Sequence, residues 1–310
     1  MRPLSARAVV FAYHNVGVRG LAVLLALGVD VRLVVTHRDD PQELVWFNSV
    51  RALAEANDIA VIMPANPNAP EVVAQIRGCR PHWLFSFYYR HMLKQDLLSL
   101  PDRGAYNLHG SLLPKYRGRA PVNWAVLHGE KETGASLHRM VLKPDAGALL
   151  DQEPVAILPN DTAHDVFQKI CCAAEEVLLR AIPKMLAGRH DETPLELSKG
   201  SYFGGRRPQD GEIDWSQPAW RVHNIIRAVA PPYPGAYTEI SGKRLMLLGS
   251  YYRPGQTGGK GPAVFWIDDR CYADCVDGVR LLITRLALEG RDLDRQKFVK
   301  RFGQDRISVA

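Results

Sequence analysis

Apolar and polar positions follow two different rhythms along the 310 residues of the chain. At 8–13 (AVVFAY) and 31–35 (VRLVV), short β-branched runs predict strands. Between them, over 17–28, Leu21, Leu24, Leu25 and Leu27 recur at helical spacing, so the chain opens as β-α-β. The pattern continues with a helix expected over 42–57, an apolar run IAVIMP at 59–64, a short helix near 70–78 and the strand HWLFSFYY at 82–89. Strands that alternate with helices predict a parallel sheet covered on both faces. A longer helix is expected from Asp161, a good N-cap, to Gly188, with Pro183 bending or ending it.

The rhythm then changes. HDETPLELSKGSYFGGRRPQDGEIDW, at 190–215, is polar, rich in Gly and Pro, and without a period, which puts a domain boundary near residue 203. Beyond it come a helix candidate at 219–230 and the short runs GAYTEI, RLMLLGSYY, AVFWID and GVRLLITRL, punctuated by Gly and Pro in the manner of a small barrel or sandwich. The last segment, EGRDLDRQKFVKRFGQDRISVA, reads as a mobile polar tail.

Composition narrows the function classes. With 46% hydrophobic and 23% charged residues the chain is neither disordered nor collagenous nor a coiled coil. Its longest apolar stretch, around 171–187, is interrupted by Glu175, Glu176, Arg180, Pro183 and Lys184, too short a run for a membrane span, so no membrane insertion is expected. The opening residues run straight into a strand pattern without a secretory signal, which favours the cytoplasm. The formal charge of +6 suits phosphate-bearing ligands but is spread too evenly for a nucleic-acid stripe.

Five cysteines without framework spacing fit a reducing compartment. Cys271 and Cys275 lack the two further ligands of a closed zinc site, so no metal is expected. Cys171 and Cys172 read as small core residues on the long helix. The turn after the first strand, from His14 through Gly17 to Gly20, holds only half of the glycine set that a dinucleotide needs, and no phosphate-binding P-loop occurs.

The densest chemistry lies at 104–124, GAYNLHGSLLPKYRGRAPVNW. In a strand, residues two apart share a face, so Asn107 and His109 would project together from a strand end, where α/β sheets hold their ligands. An amide can donate to an oxyanion and an imidazole can move a proton near neutral pH, two parts of an acyl transfer. Asp145, in a Pro-Asp-Ala-Gly turn between two strand-like runs, offers the carboxylate that would orient His109 and raise its pKa. Taken singly, the three read as a structural histidine, a turn residue and a cap; together they mark a candidate acyl- or proton-transfer site. Arg206 and Arg207 read as solvated linker charges, Tyr88 and Tyr89 as core aromatics, and Trp215 and Trp220 as interdomain packing.

Asn107-x-His109, the following SLLPKYRG at 111–118 and Asp145 in its Asp-Ala-Gly turn resemble the signature of the folate-dependent formyltransferases, which act on glycinamide ribonucleotide, methionyl-tRNA and nucleotide sugars. The resemblance spans nearly the whole chain. FAYH at 11–14, FSFYYRH at 85–91, NLHGSLLPKYRGRAP at 107–121 and LHRM at 137–140 look most like the branch that formylates UDP-4-amino-4-deoxy-L-arabinose. FGGRRPQDGEIDW and RAVAPPYPGAY resemble that branch's second domain.

The resemblance implies a Rossmann-like parallel-sheet catalytic domain over 1–203 and a small OB-like β-barrel domain with its polar tail over 204–310. It implies 10-formyltetrahydrofolate as co-substrate, no metal, and a UDP-aminosugar acceptor, in a step of lipid A modification tied to antimicrobial-peptide resistance. By motif match Asn107 stabilises the oxyanion, His109 is the general acid/base and Asp145 raises its pKa. Donor contacts fall on His91, Met92 and Leu93, on Arg119, and on Val141, Leu142, Lys143 and Pro144. In that branch the formyltransferase is half of a bifunctional enzyme with a decarboxylase, so this chain is expected either to act alone, with a separate decarboxylase as a candidate partner, or to be part of a longer protein. The stretch HRDDPQELVWFNSV, with Asp39 and Asp40, disfavours a tRNA acceptor because its carboxylates repel phosphate. Other nucleotide-linked aminosugars and a non-catalytic folate or nucleotide sensor are the remaining alternatives.

Overall fold

The computed structural model describes residues 6–41, 44–259 and 261–309. The chain begins β1 (Arg7–Ala12), α1 (His14–Ala26), β2 (Asp30–Val35), α2 (Val50–Glu55), β3 (Val61–Ile62), α3 (Pro70–Gly78), β4 (Trp83–Phe87), α4 (Gln95–Leu98), β5 (Ala105–His109). It continues β6 (Arg117–Gly118), α5 (Pro121–His128), β7 (Glu132–Arg139), β8 (Leu149–Ala156), α6 (Ala163–Leu186) and β9 (Tyr202–Phe203). One sheet has the order β3-β2-β1-β4-β5-β7-β8. Its pairings from β3 to β5 are parallel, and β7 joins β5 antiparallel. The near-continuous burial of β1 and β4 is what a parallel strand covered on both faces requires.

Two helices differ from the pattern's expectation. The helix expected over 42–57 shrinks to α2, because Ser49 Oγ accepts the Ala52 N–H at 3.1 Å and starts the helix there. The residues ahead of it place Trp46 and Phe47 against the His14 ring, at 4.4 and 4.1 Å, and Gln42 and Glu43 lie outside the described residues. At α6 the cap is Thr162, not Asp161. Thr162 Oγ1 accepts the Asp165 N–H at 3.2 Å while the Asp165 carboxylate accepts the Thr162 N–H at 2.9 Å, a reciprocal pair. Pro183 stays inside α6, which runs on to Leu186; so near the end, the missing N–H removes one hydrogen bond without stopping the helix. On the same helix Cys171 is buried but Cys172 is exposed, so only the first belongs to the core.

The remaining elements are α7 (Ala219–Ala228), β10 (Ala236–Ile240), β11 (Lys243–Tyr251), β12 (Ala263–Ile267), β13 (Arg270–Asp274), β14 (Arg280–Leu288), β15 (Arg291–Asp292), α8 (Arg295–Phe302) and β16 (Arg306–Ser308). Their sheet runs β10-β11-β14-β13-β12-β16 with antiparallel pairings, and Val222 and Ile226 of α7 share a core with Leu245, Leu247, Leu281 and Ile283. The final segment is no loose tail. Asp294 caps α8 by accepting the Lys297 N–H at 2.8 Å, Phe298 is fully buried, and β16 pairs with β12. The polar residues that suggested a tail are the outer face of a short amphipathic helix.

The chain divides into two compact units: Met1–Pro121, Thr133–Val155 and Phe167–Phe203 in the first, Val122–Glu132, Ala156–Val166 and Gly204–Ala310 in the second. Buried Arg227 accounts for the two early segments of the second unit. Its guanidinium donates to the Asp161 carbonyl at 2.9 Å and to Asn224 Oδ1 at 2.9 Å, with longer contacts to the carbonyls of Leu158 and Val126. Asn123 Nδ2 adds a bond to the Ala228 carbonyl at 2.8 Å. The Trp215 indole is in this unit's core and donates to Thr238 Oγ1, and Trp220 packs on His223 and Tyr252 of the same unit. Arg206 is half-buried over the Trp124 ring at 4.8 Å and not a solvated linker charge.

Candidate functional site

Asn107 and His109 end β5, one step apart on the same face. In the antiparallel pairing with β7, Asn107 lies opposite His138 and His109 opposite Ser136, so that face also carries His138 and Ser136. Ser136 Oγ donates to the Ser111 carbonyl and accepts the Leu113 N–H at 3.1 Å, while Gln152 Nε2 donates to the Leu113 carbonyl at 2.8 Å. These bonds satisfy backbone groups that the irregular loop after β5 cannot pair with itself.

Asp145 enters from the turn between β7 and β8 with a φ of 48°, in the left-handed region. Two glycines make this approach possible. A Cβ on Gly147 would stand 2.0 Å from the Arg139 carbonyl oxygen, and one on Gly118, itself at φ +99°, would stand 2.1 Å from the Phe203 carbonyl oxygen. Gly118 N–H donates to Asp145 Oδ2 at 2.9 Å. The other oxygen, Oδ1, collects three side chains: Asn107 Nδ2 at 3.4 Å, His138 Nε2 at 3.4 Å and His109 Nδ1 at 3.7 Å.

The histidine tautomers follow from their backbone partners. His109 Nε2 donates to the Tyr116 carbonyl at 2.8 Å, which directs Nδ1 toward the carboxylate at a distance within ion-pair range but beyond a hydrogen bond. His138 Nδ1 donates to the Arg139 carbonyl at 2.9 Å, leaving Nε2 to accept from Asn107 Nδ2 at 3.2 Å. Burial alone would raise the Asp145 pKa; once the two imidazoles are protonated, the charge of His109, the hydrogen bond and charge of His138, and the Gly118 N–H outweigh it and hold the carboxyl well below the usual carboxylate range. The carboxylate is therefore a fixed negative charge beside an imidazole, and the site can stabilise a proton arriving on that ring.

His138 is the member that sequence reading missed, although LHRM was noted. The usable signal was the alternation Ser136, His138 in an otherwise buried strand; its pairing with Asn107 depends on a register that no local pattern reveals.

The residues expected to contact a folate lie in three places of the first unit. His91 and Met92 are exposed in the loop after β4, whereas the Leu93 side chain is buried in the core and can offer only its backbone outward. Arg119 is exposed after β6, its N–H bonded to the Phe203 carbonyl at 3.0 Å. Val141, Leu142 and Lys143 are exposed in the β7–β8 turn, with Pro144 half-buried. Leu93 shares its core cluster with Tyr89 and Met140, which ties the starts of the β4 and β7 loops to one cluster. The apolar side chains at these loops stay open: Met92 is 55% exposed, Val141 40% and Leu142 60%. Among the described residues, no group of His, Cys, Asp and Glu side chains is placed to hold a metal ion, and no helix is long and apolar enough to cross a membrane.

An α/β sheet with an Asn-His-carboxylate cluster at the carboxyl end of an inner strand, followed by an antiparallel domain, has the layout of a group-transfer enzyme. A sequence profile for formyl transferases matches residues 23–182, and one for the formyl transferase C-terminal domain matches residues 206–303. The chain belongs to the formyl transferase family, and the expectations of a formyl-transfer enzyme and of an α/β sheet followed by a smaller β domain are borne out.

Solved structures share the fold at low identity. WlaRD, a sugar 3N-formyl transferase determined in the presence of dTDP and 5-N-formyl-THF, aligns with a TM-score of 0.73 at 20% identity, over 92% of this chain and 98% of that one. An N-formyltransferase from Helicobacter canadensis, in complex with folinic acid and dTDP-3-aminofucose, gives 0.71 at 20% identity over 90% and 99%. HypX from Aquifex aeolicus, in complex with tetrahydrofolic acid, gives 0.65 at 16% over 96% of this chain but 47% of its own length.

Proposed function

We propose that this enzyme moves the formyl group of 10-formyltetrahydrofolate onto the amino group of a nucleotide-linked aminosugar, UDP-4-amino-4-deoxy-L-arabinose first among them, in the modification of lipid A. The observation that carries the reading is the convergence of Asn107, His109 and His138 on one ionised carboxylate at the end of β5. The amine nitrogen attacks the formyl carbon, the bond from that carbon to the folate nitrogen breaks, and one proton passes from the amine to the departing nitrogen. His109 takes that proton at Nδ1 while its Nε2–H stays on the Tyr116 carbonyl, and the resulting cation is paired with Asp145. The long 3.4 Å contact between Asn107 Nδ2 and Asp145 is the one an oxyanion would replace. Open Met92, Val141 and Leu142 supply an apolar seat for a flat donor.

The solved structures above, determined with 5-N-formyl-THF and dTDP in one case and with folinic acid and dTDP-3-aminofucose in the other, support the choice of donor and of a nucleotide-sugar acceptor. On this reading residues 1–203 carry the chemistry, with a separate decarboxylase as a candidate partner. The test is incubation of the full chain with 10-formyltetrahydrofolate and each of UDP-4-amino-4-deoxy-L-arabinose, dTDP-linked aminosugars and initiator methionyl-tRNA, with product read by mass spectrometry. Formylation of the arabinose derivative alone is expected. Formylation of another nucleotide sugar or of the tRNA would replace the acceptor, and a folate complex without product on any acceptor would favour a sensor.

A further inference from the structure

The turn that carries His91 and Met92 is held in part by side chains from outside it. Tyr88 opens it at a φ of 58°, a left-handed conformation that a bulky residue adopts at a cost and only where neighbours fix it. The Tyr88 ring packs on Phe167, and two polar side chains from elsewhere in the first unit bond the backbone that follows it. His37, immediately beyond β2, accepts the Arg90 N–H on Nε2 at 2.9 Å, and its ring stacks on Tyr89 with centroids 4.1 Å apart and planes 14° from parallel. Asn68, before α3, closes the other end: its Nδ2 donates to the Met92 carbonyl at 2.9 Å and its Oδ1 accepts the Lys94 N–H at 2.7 Å.

Burial, then the charges of His91 and Arg90, lower the His37 pKa to about 4, so its ring remains a neutral acceptor at neutral pH. Asn68 uses both ends of its amide on backbone groups two residues apart, which fixes the Met92 peptide in orientation as well as position. Asn68 is itself held, its N–H bonded to Asn66 Oδ1 at 3.0 Å.

We infer that His37 and Asn68 are positioning residues for the formyl donor, clamping the 88–94 turn from its two ends so that Met92 meets the folate in a preset conformation. This rests on the reading that the turn contacts the donor. A clamp of this kind lowers the ordering cost of binding and leaves the chemical step alone, so its loss appears in the donor constants.

The experiment measures KM for 10-formyltetrahydrofolate, kcat, and Kd for tetrahydrofolate by tryptophan fluorescence, on the full chain with His37→Phe, His37→Gln, Asn68→Ala and Met92→Glu. His37→Phe keeps an aromatic ring and loses the acceptor, whereas His37→Gln keeps an acceptor near the Nε2 position. His37→Phe and Asn68→Ala are each expected to raise donor KM and tetrahydrofolate Kd about tenfold with kcat within about twofold, and His37→Gln to recover most of the loss. Donor constants unchanged in both clamp variants, while Met92→Glu raises them, would overturn the clamp and leave the donor turn standing. Donor constants unchanged in Met92→Glu as well would remove the donor turn itself. A fall in kcat equal to the rise in KM, without recovery by His37→Gln, would also overturn it.

Discussion

Asp145→Asn is the sharpest probe of the site, because it removes one charge and little else. Asp145 has a left-handed backbone, which Asn tolerates as well as Asp, so the turn is not strained by the exchange. What is lost is the attraction between the carboxylate and a protonated His109. At 3.7 Å and an effective dielectric of about 20 that attraction is worth about 4 kcal/mol, or about a thousandfold in rate where all of it is felt in the transition state. If the proton passes through His109 beside Asp145, kcat falls by about that factor while donor KM changes little. The assay is release of tetrahydrofolate under saturating acceptor, paired with direct folate binding to establish that the site is intact. The pH profile adds a second reading. Asp145 is held ionised well below the working range, so no acid limb of the wild-type profile belongs to it. A kcat within about tenfold of wild type would mean that the charge pair carries too little of the barrier for His109 to pass the proton beside Asp145.

Three further outcomes follow from the packing. Gly147→Ala sets a methyl against the Arg139 carbonyl, so it should destabilise the first unit by about 1–3 kcal/mol in denaturant unfolding and lower kcat by shifting Asp145. Arg227→Leu leaves the Asp161 carbonyl and Asn224 Oδ1 without their buried donor and should cost the second unit about 3 kcal/mol, seen as a lower denaturation midpoint with an unchanged slope. Burial lowers the pKa of His223 to about 4, while its Nε2 donates to the Pro159 carbonyl and Nδ1 accepts from Ser250. Its unfolded form takes up a proton first, so stability should fall as pH drops from about 6.5 toward about 4, and His223→Gln should flatten that fall.

The parts of this fold set by local pattern were legible in the chain. β1, α1, β2, α3, β4 and α7 lie where strand and helix periods put them, and the short strands after residue 235 do form an antiparallel sheet. What escaped was decided by single side chains or by distant partners. Ser49 and Thr162 move two helix starts through capping bonds that a periodicity window averages over. The last segment folds because Phe298 finds a core and β16 finds β12, neither visible in its polar composition. At the site, Asn107 and His109 were readable as a strand-end pair, and Asp145 as a turn carboxylate. His138 was not, since only the β5–β7 register sets it opposite Asn107. The orienting partner of His109 was also hidden: the Tyr116 carbonyl, not Asp145, makes its hydrogen bond.

The proposed site for formyl transfer to a nucleotide-linked aminosugar is Asn107, His109 and Asp145. Its most direct test is a single turnover with 10-formyltetrahydrofolate labelled with carbon-13 in the formyl group, followed by NMR, for the wild type and for His109→Ala. The label is expected to move into an amide on the sugar nitrogen in the wild type, and to stay on folate in the variant although the variant still binds tetrahydrofolate. Label transfer by His109→Ala at more than half the wild-type rate would contradict it.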